Sequence, residues 1–184
     1  EATDICLPGC ELISIANIQS TEAMKAIASH SNGTYTLLYT KHTELKLGLF
    51  ALERMVQIME MTQAGMVYAD RYQQVNGIRK AAPVIDYQFG SLRDDFDFGS
   101  VMLFQSEVFR KMVKATKEDY QYAGLYDLRL KISQKKKLVH INEYLYTEIE
   151  NDTRKSGEKQ FDYVDPKNRR VQIEMEQACS EHLK

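Results

Sequence analysis

The chain has 184 residues, 43% hydrophobic and 27% charged, with a formal net charge of -2. That length and composition predict one folded domain with a sizeable core and exclude disorder except at the ends. The charge balance gives no global reason to expect nucleic acid as a partner.

In chain order, "ELISIA" (11–16) reads as a short strand. "NIQSTEAMKAIASHSNG" reads as a helix capped by Ser20 or Thr21, with an apolar stripe of Ala23, Met24, Ile27 and Ala28 and a stop at Asn32-Gly33. "TYTLLYT" is the next strand, and its two apolar faces fit a central parallel strand. Leu45, Leu49, Leu52, Val56 and Met59 recur at helical spacing and predict a long helix ending near Gly65. "GMVYADRY" is a strand, and "QQVNGIRKAAPVIDY" a hairpin turning at Asn76-Gly77. "SLRDDFDFG" is an acidic, aromatic loop. "GSVMLF" is a strand, followed by the helix "SEVFRKMVKAT" capped by Ser106. "LYDLRLKISQKK" is a helix and "KLVHINEYLYTEIE" a strand with a partly polar extension. Residues 151–163 are polar and loop-like. Asp165-Pro166 then starts a terminal helix that packs on the domain or on a second copy of the chain, a homodimer contact. The alternation of strands and helices is that of a right-handed βαβ layer. The fold class is therefore α/β, with a mixed portion supplied by the hairpin and late strands.

The order of these elements, with the phrases "SIANIQSTEAMKAIA", "NGTYTLLYTKHTEL", "LFALERMVQIMEMTQAGMVYADRY", "FGSVMLFQSEVFRKM" and "AGLYDLRLKISQKKKLVHINEYLYTEIE", resembles the family 2 glycosyltransferases of GT-A fold. The resemblance covers residues 11–150 and rests on order and hydrophobic register. It implies a Rossmann-like mixed sheet flanked by helices over residues 1–150, with a C-terminal loop and helix, 151–184, packed on the same domain. It also implies a first strand at or before residue 10, truncated or carried by "DICLPG"; since Glu1 is not a natural start, upstream sequence is expected. The implied activity is transfer of a sugar from a nucleotide-diphospho-sugar to a glycan or other acceptor. The alternative is a non-catalytic module that binds a nucleotide-sugar or glycan.

In that family the strand ending at Thr40 closes in Asp-x-Asp, which holds the nucleotide and a divalent metal, Mn²⁺ or Mg²⁺, on the diphosphate. In register, Thr40 and His42 take the places of the two carboxylates. Thr, Lys and His are a poor set for Mg²⁺, whereas His42 with Glu44 suits Mn²⁺ better. Lys41 can offset diphosphate charge as a point charge without metal. A degenerate site on a sound scaffold is the equal alternative. The family's second motif is a Glu-Asp pair whose Asp is the general base. One register puts Gly124 and Leu125 there and deletes the base; a shifted one keeps Asp127 as the base, which otherwise only favours the helix dipole.

Other candidates come from the residues themselves. Asp94, Asp95 and Asp97 lie beside Phe96 and Phe98, where carboxylates would bind sugar hydroxyls and rings would stack on a sugar; Asp95 and Asp97 also have a spacing that could meet a metal. The alternative is an acidic turn with both Phe rings in the core. Asp70, a strand-end carboxylate, lines the cleft, pairs with Arg71 or serves as a turn acid. Asn17, Gln19 and Ser20 contact the nucleotide or cap the helix. His140 is most simply a satisfied strand residue. Tyr144, Tyr146 and Glu148 reach a sugar or pack the sheet. Lys135, Lys136 and Lys137 form a solvated turn or meet an anionic bilayer. Another α/β phosphate-processing enzyme using Asp70 and Asp94–Asp97 is disfavoured by the absence of a glycine-rich phosphate loop.

Cys6, Cys10 and Cys179 have no metal-ligand spacing, so a reduced, cytoplasmic protein is expected, with a Cys6–Cys10 bridge as the minor alternative and the inner face of the membrane as a second location. No apolar run approaches the roughly 18 residues of a transmembrane span, and no signal peptide is visible.

Overall fold

The computed structural model describes residues 10–11, 13–150 and 168–184. Its elements are α1 (Thr21–His30), β1 (Tyr35–Tyr39), β2 (Glu44–Leu47), α2 (Ala51–Thr62), β3 (Met66–Val75), β4 (Ile78–Ala82), β5 (Val101–Gln105), α3 (Ser106–Lys114), α4 (Gly124–Ser133), β6 (Leu138–Glu150) and α5 (Asn168–His182). They form an α/β fold around one mixed six-stranded sheet in the order β1-β5-β3-β6-β2, with β4 paired to β3. The expected class, a mixed sheet flanked by helices with a C-terminal helix, is what forms.

β3 organises the sheet. It runs parallel to β6 along its whole length. Its other edge is shared in succession: Met66–Tyr68 pair with β5 and Arg71–Val75 with β4, so the sheet forks at Ala69 and Asp70. Opposite the fork β6 shifts register twice, between Ala69 and Asp70 and between Asp70 and Arg71. Such irregularities re-aim side chains and are common beside functional sites. Alternation along β3 sorts the two cores. Met66 and Tyr68 join Met24 of α1, Phe109 of α3 and Leu128 of α4 on one face. Val67 and Ala69 join Ala51, Met55 and Met59 of α2 on the other. Ala178 of α5 packs on Leu130 and Tyr126 of α4 in a third cluster.

Local chemistry explains most boundaries. Ser20 Oγ accepts the Ala23 N–H at 3.1 Å and caps α1. The β3–β4 hairpin turns at Asn76-Gly77 with φ of 49° and 80°, the expected two-residue turn. Four expectations need correction. The described residues of 11–16 form no strand. β1 is not central: among the described residues it lies at one end of the sheet beside an antiparallel β5, with Leu38 buried in one cluster, Tyr35 and Tyr39 packed on the other, and Leu37 left 37% exposed. Leu45 belongs to β2 rather than to a helix, because Gly48 N–H bonds Leu145 O at 2.8 Å and Phe50 turns left-handed before α2. Ser106 is the first residue of α3, not its cap, and its hydroxyl bonds Thr36 Oγ1 at 2.8 Å. The candidate first strand in "DICLPG", the 151–163 loop and the Asp165-Pro166 start of the last helix lie outside the described residues.

Candidate functional site

The end of β1, the fork of β3, the far half of β6, the 92–100 loop and the start of α4 converge. Glu148 of β6 is fully buried, at 0% exposure. Its Oε2 accepts from Lys41 Nζ at 2.7 Å, and its Oε1 lies 3.0 Å from Arg71 Nε. The second contact is an ion pair without hydrogen-bond alignment. Arg71 Nη2 donates to Asp97 Oδ2 at 2.9 Å, and Asp97 Oδ1 accepts the Gly99 N–H at 2.8 Å. Lys41, Glu148, Arg71 and Asp97 thus alternate in sign. Burial pulls the Arg71 guanidinium down, but Asp97 and Glu148 outweigh it and its pKa is raised.

Above this chain of charges lies a cavity of about 190 Å³. Thr40 enters it from β1, Asp94, Asp97 and Phe98 from the loop, and Leu125 and Tyr126 from α4. Gln19 and Arg129 also line it. Thr40 N–H bonds Ser100 O at 2.9 Å, fixing the strand tip against the loop. Tyr146 supports the same loop from beneath: its hydroxyl oxygen accepts the Ser100 N–H at 3.0 Å. Gly99 has φ of +72°, and a Cβ there would collide with the Tyr146 hydroxyl, so only glycine fits. Tyr126 O–H donates to Leu92 O at 2.6 Å, and burial pushes its pKa up to about 12.

The start of α4 is held from two sides. Gln19 O accepts from Gly124 N–H at 2.7 Å, and Glu174 Oε2 of α5 accepts from Tyr122 N–H at 2.7 Å and Ala123 N–H at 3.2 Å. A Cβ on Gly124 would strike the backbone of Ser20 and Thr21. The position that the first register gives to the family's Glu therefore has no room for any side chain.

Thr40 and Asp97 of the sequence candidates line the cavity, and Lys41 joins them through Glu148. Gln19, Asp94, Phe96 and Phe98 line it as well, whereas Asp70, Asp95, Asp127 and His42 lie apart. Asp70 turns away: its Oδ1 accepts the Val84 N–H at 2.8 Å and lies 2.9 Å from His140 Nε2, while His140 Nδ1 lies 2.8 Å from Asp86 Oδ1. It is neither in the cavity nor paired with Arg71; of its expected roles, the one nearest to its place is the acid that holds a loop backbone. Asp95 faces solvent in a bidentate pair with Arg93, both contacts 2.9 Å. Because 92–99 is a loop and not a strand, Asp95 and Asp97 do not share a face, and Asp94 takes the cavity place instead. Asp127 accepts from Thr116 Oγ1 at 3.0 Å and from Lys131 Nζ. It lines a second cavity with Tyr120, Gln134 and His182, because the face of α4 that shows Leu125 and Arg129 to the first cavity is not its own.

His42 is exposed and has no hydrogen-bond partner among the described residues. Among those residues no group of three or more His, Cys, Asp or Glu could hold a metal ion. Thr40, a lysine committed to Glu148 and a lone histidine do not fit a hard divalent cation. Sequence reasoning missed Arg71 and Arg129 as site residues. Arg71 follows Asp70 on the strand, and alternation was the signal that the two point to opposite faces. No helix among the described residues is long and apolar enough to cross a membrane. Comparison of the chain with protein-family models and with curated proteins gave no match.

Proposed function

We propose that the chain is a glycosyltransferase of GT-A type, which moves a sugar from a nucleotide-diphospho-sugar to a glycan acceptor in the cavity under Thr40. One observation carries the reading. Gln19, Thr40 and Leu125 come from the three segments that resemble the family's nucleotide loop, Asp-x-Asp strand and base-bearing helix, and all three line one cavity.

Chemistry in that cavity falls to its own residues. Asp97 has a side chain 57% exposed, with its Oδ2 2.9 Å from Arg71 Nη2. It takes the proton of an acceptor hydroxyl, whose oxygen attacks the anomeric carbon as the bond to the diphosphate breaks and its electrons leave with the nucleotide. Asp127, on the other cavity, has no part in this step. Removing a general base costs about 10²–10⁴-fold in rate. Asp97→Asn is therefore expected to lower transfer by that factor, while Asp127→Asn leaves it near wild type.

The second reading is a non-catalytic sugar-binding module. The observation favouring it is that Lys41, at the strand tip, is spent on a buried Glu148. Thermal unfolding with UDP and a panel of UDP-sugars separates the two. A donor at 100 times its dissociation constant stabilises by about 2.7 kcal/mol. No shift with any nucleotide would reject the transferase in favour of the module.

A further inference from the structure

Arg129 is a buried cation without a carboxylate. Its residue is 5% exposed, and among the described residues no Asp or Glu oxygen lies within ion-pair distance of it. Nη2 donates to Arg93 O at 2.8 Å, and Nη1 is buried with no partner. Three rings surround the guanidinium, Tyr126 at 4.7 Å, Phe98 at 5.4 Å and Tyr87 at 6.0 Å from their centroids. Aromatic faces offset part of the cost of removing such a charge from water but do not satisfy a directed N–H. Burial accordingly lowers the Arg129 pKa, and the nearby Tyr87, Tyr126 and Asp94 oppose that only in part.

This cation borders the cavity that also holds the carboxylates of Asp94 and Asp97. At about 190 Å³ the cavity is smaller than the roughly 300–1,000 Å³ of sites for drug-sized ligands, and it suits one sugar ring. A guanidinium matches a carboxylate in planar, two-pronged fashion, and aspartates accept from hydroxyls. We propose that the cavity selects an acidic sugar residue, a uronic acid, whose carboxylate docks on Arg129 while its hydroxyls face Asp94 and Asp97. This deepens the sugar-site reading above and rests on it.

The test titrates the chain with methyl glucuronide and methyl glucoside, followed by protein NMR, with UDP and inorganic phosphate in parallel. Methyl glucuronide is expected to bind roughly tenfold to a hundredfold tighter than the glucoside, the range for a charge-assisted pair. Arg129→Gln should erase the difference, and Arg129→Lys should keep part of it. Equal affinity for the two sugars in the wild-type chain overturns the proposal without any variant. So does Arg129-dependent binding of UDP or phosphate with no preference for the glucuronide, which assigns the cation to a phosphate. Binding of UDP with equal sugar affinities rejects this inference and leaves the transferase standing. Arg129-dependent glucuronide binding with no nucleotide binding keeps the inference and rejects the transferase.

Discussion

At the scale of single residues, the alternating charges of Lys41, Glu148, Arg71 and Asp97 decide which side chain matters most. Glu148 is the one anion between two cations, and it has no access to water. Removing one partner of a buried pair leaves an uncompensated charge and costs roughly 3–5 kcal/mol. Glu148→Gln should destabilise the chain by about that much in urea unfolding. Lys41→Met should cost much less, because its side chain is 32% exposed and Arg71 remains on the carboxylate. A pH effect follows from the buried phenols. Tyr120 and Tyr126 are both raised from 10.0 to about 12, with burial the largest cause. A phenol with a raised pKa holds its proton more tightly in the folded chain. Its stabilisation is complete below pH 10 and is lost as pH climbs toward 12. Urea midpoints should fall across that window, and Tyr126→Phe should shrink the fall.

At the scale of elements, apolar spacing located nearly every helix and strand but misjudged neighbours. Two apolar faces on "YTLLY" report packing against both apolar clusters, Leu38 on one and Tyr35 and Tyr39 on the other, not a central place in the sheet, because burial and hydrogen-bonding rank are separate properties of a strand. Leu45 and Leu49 are four apart, which fits a helix, yet Leu45 with Lys46 also fits the in–out alternation of β2, and two leucines cannot separate the periods. The Asp127 register failed for a reason no local pattern holds: which face of α4 meets the cavity is set by α1 and α5. Gly124 shows how tightly. Gly124→Ala must push α4 off the Ser20–Thr21 backbone, and overpacking of this kind costs roughly 1–3 kcal/mol. Calorimetry should show a lowered melting temperature, and the NMR signals of Gln19 and Leu125 should move.

At the scale of the whole molecule, residues far apart in sequence meet because β3 binds the sheet together and forks. Only the tertiary fold brings Thr40 within reach of Asp97 and Leu125, so the cavity as such was not legible, whereas Thr40 and Asp97 as candidate residues were. The buried pairing of Arg71 with Glu148 was equally hidden, since the two are 77 positions apart in the chain.

Glu174 belongs to the 15-residue terminal helix, yet its carboxylate receives two backbone N–H groups at the mouth of α4. The tail is thus a latch on the turn that borders the cavity. Prising it loose would free the turn that carries Leu125 and Tyr126, and if a sugar binds as proposed, by reciprocity it would grip the tail more firmly. Ala178→Asp, which forces a charge into the seam between the two helices, should weaken sugar affinity although it touches no sugar, and hydrogen exchange in α5 should slow when ligand is added to the unaltered chain.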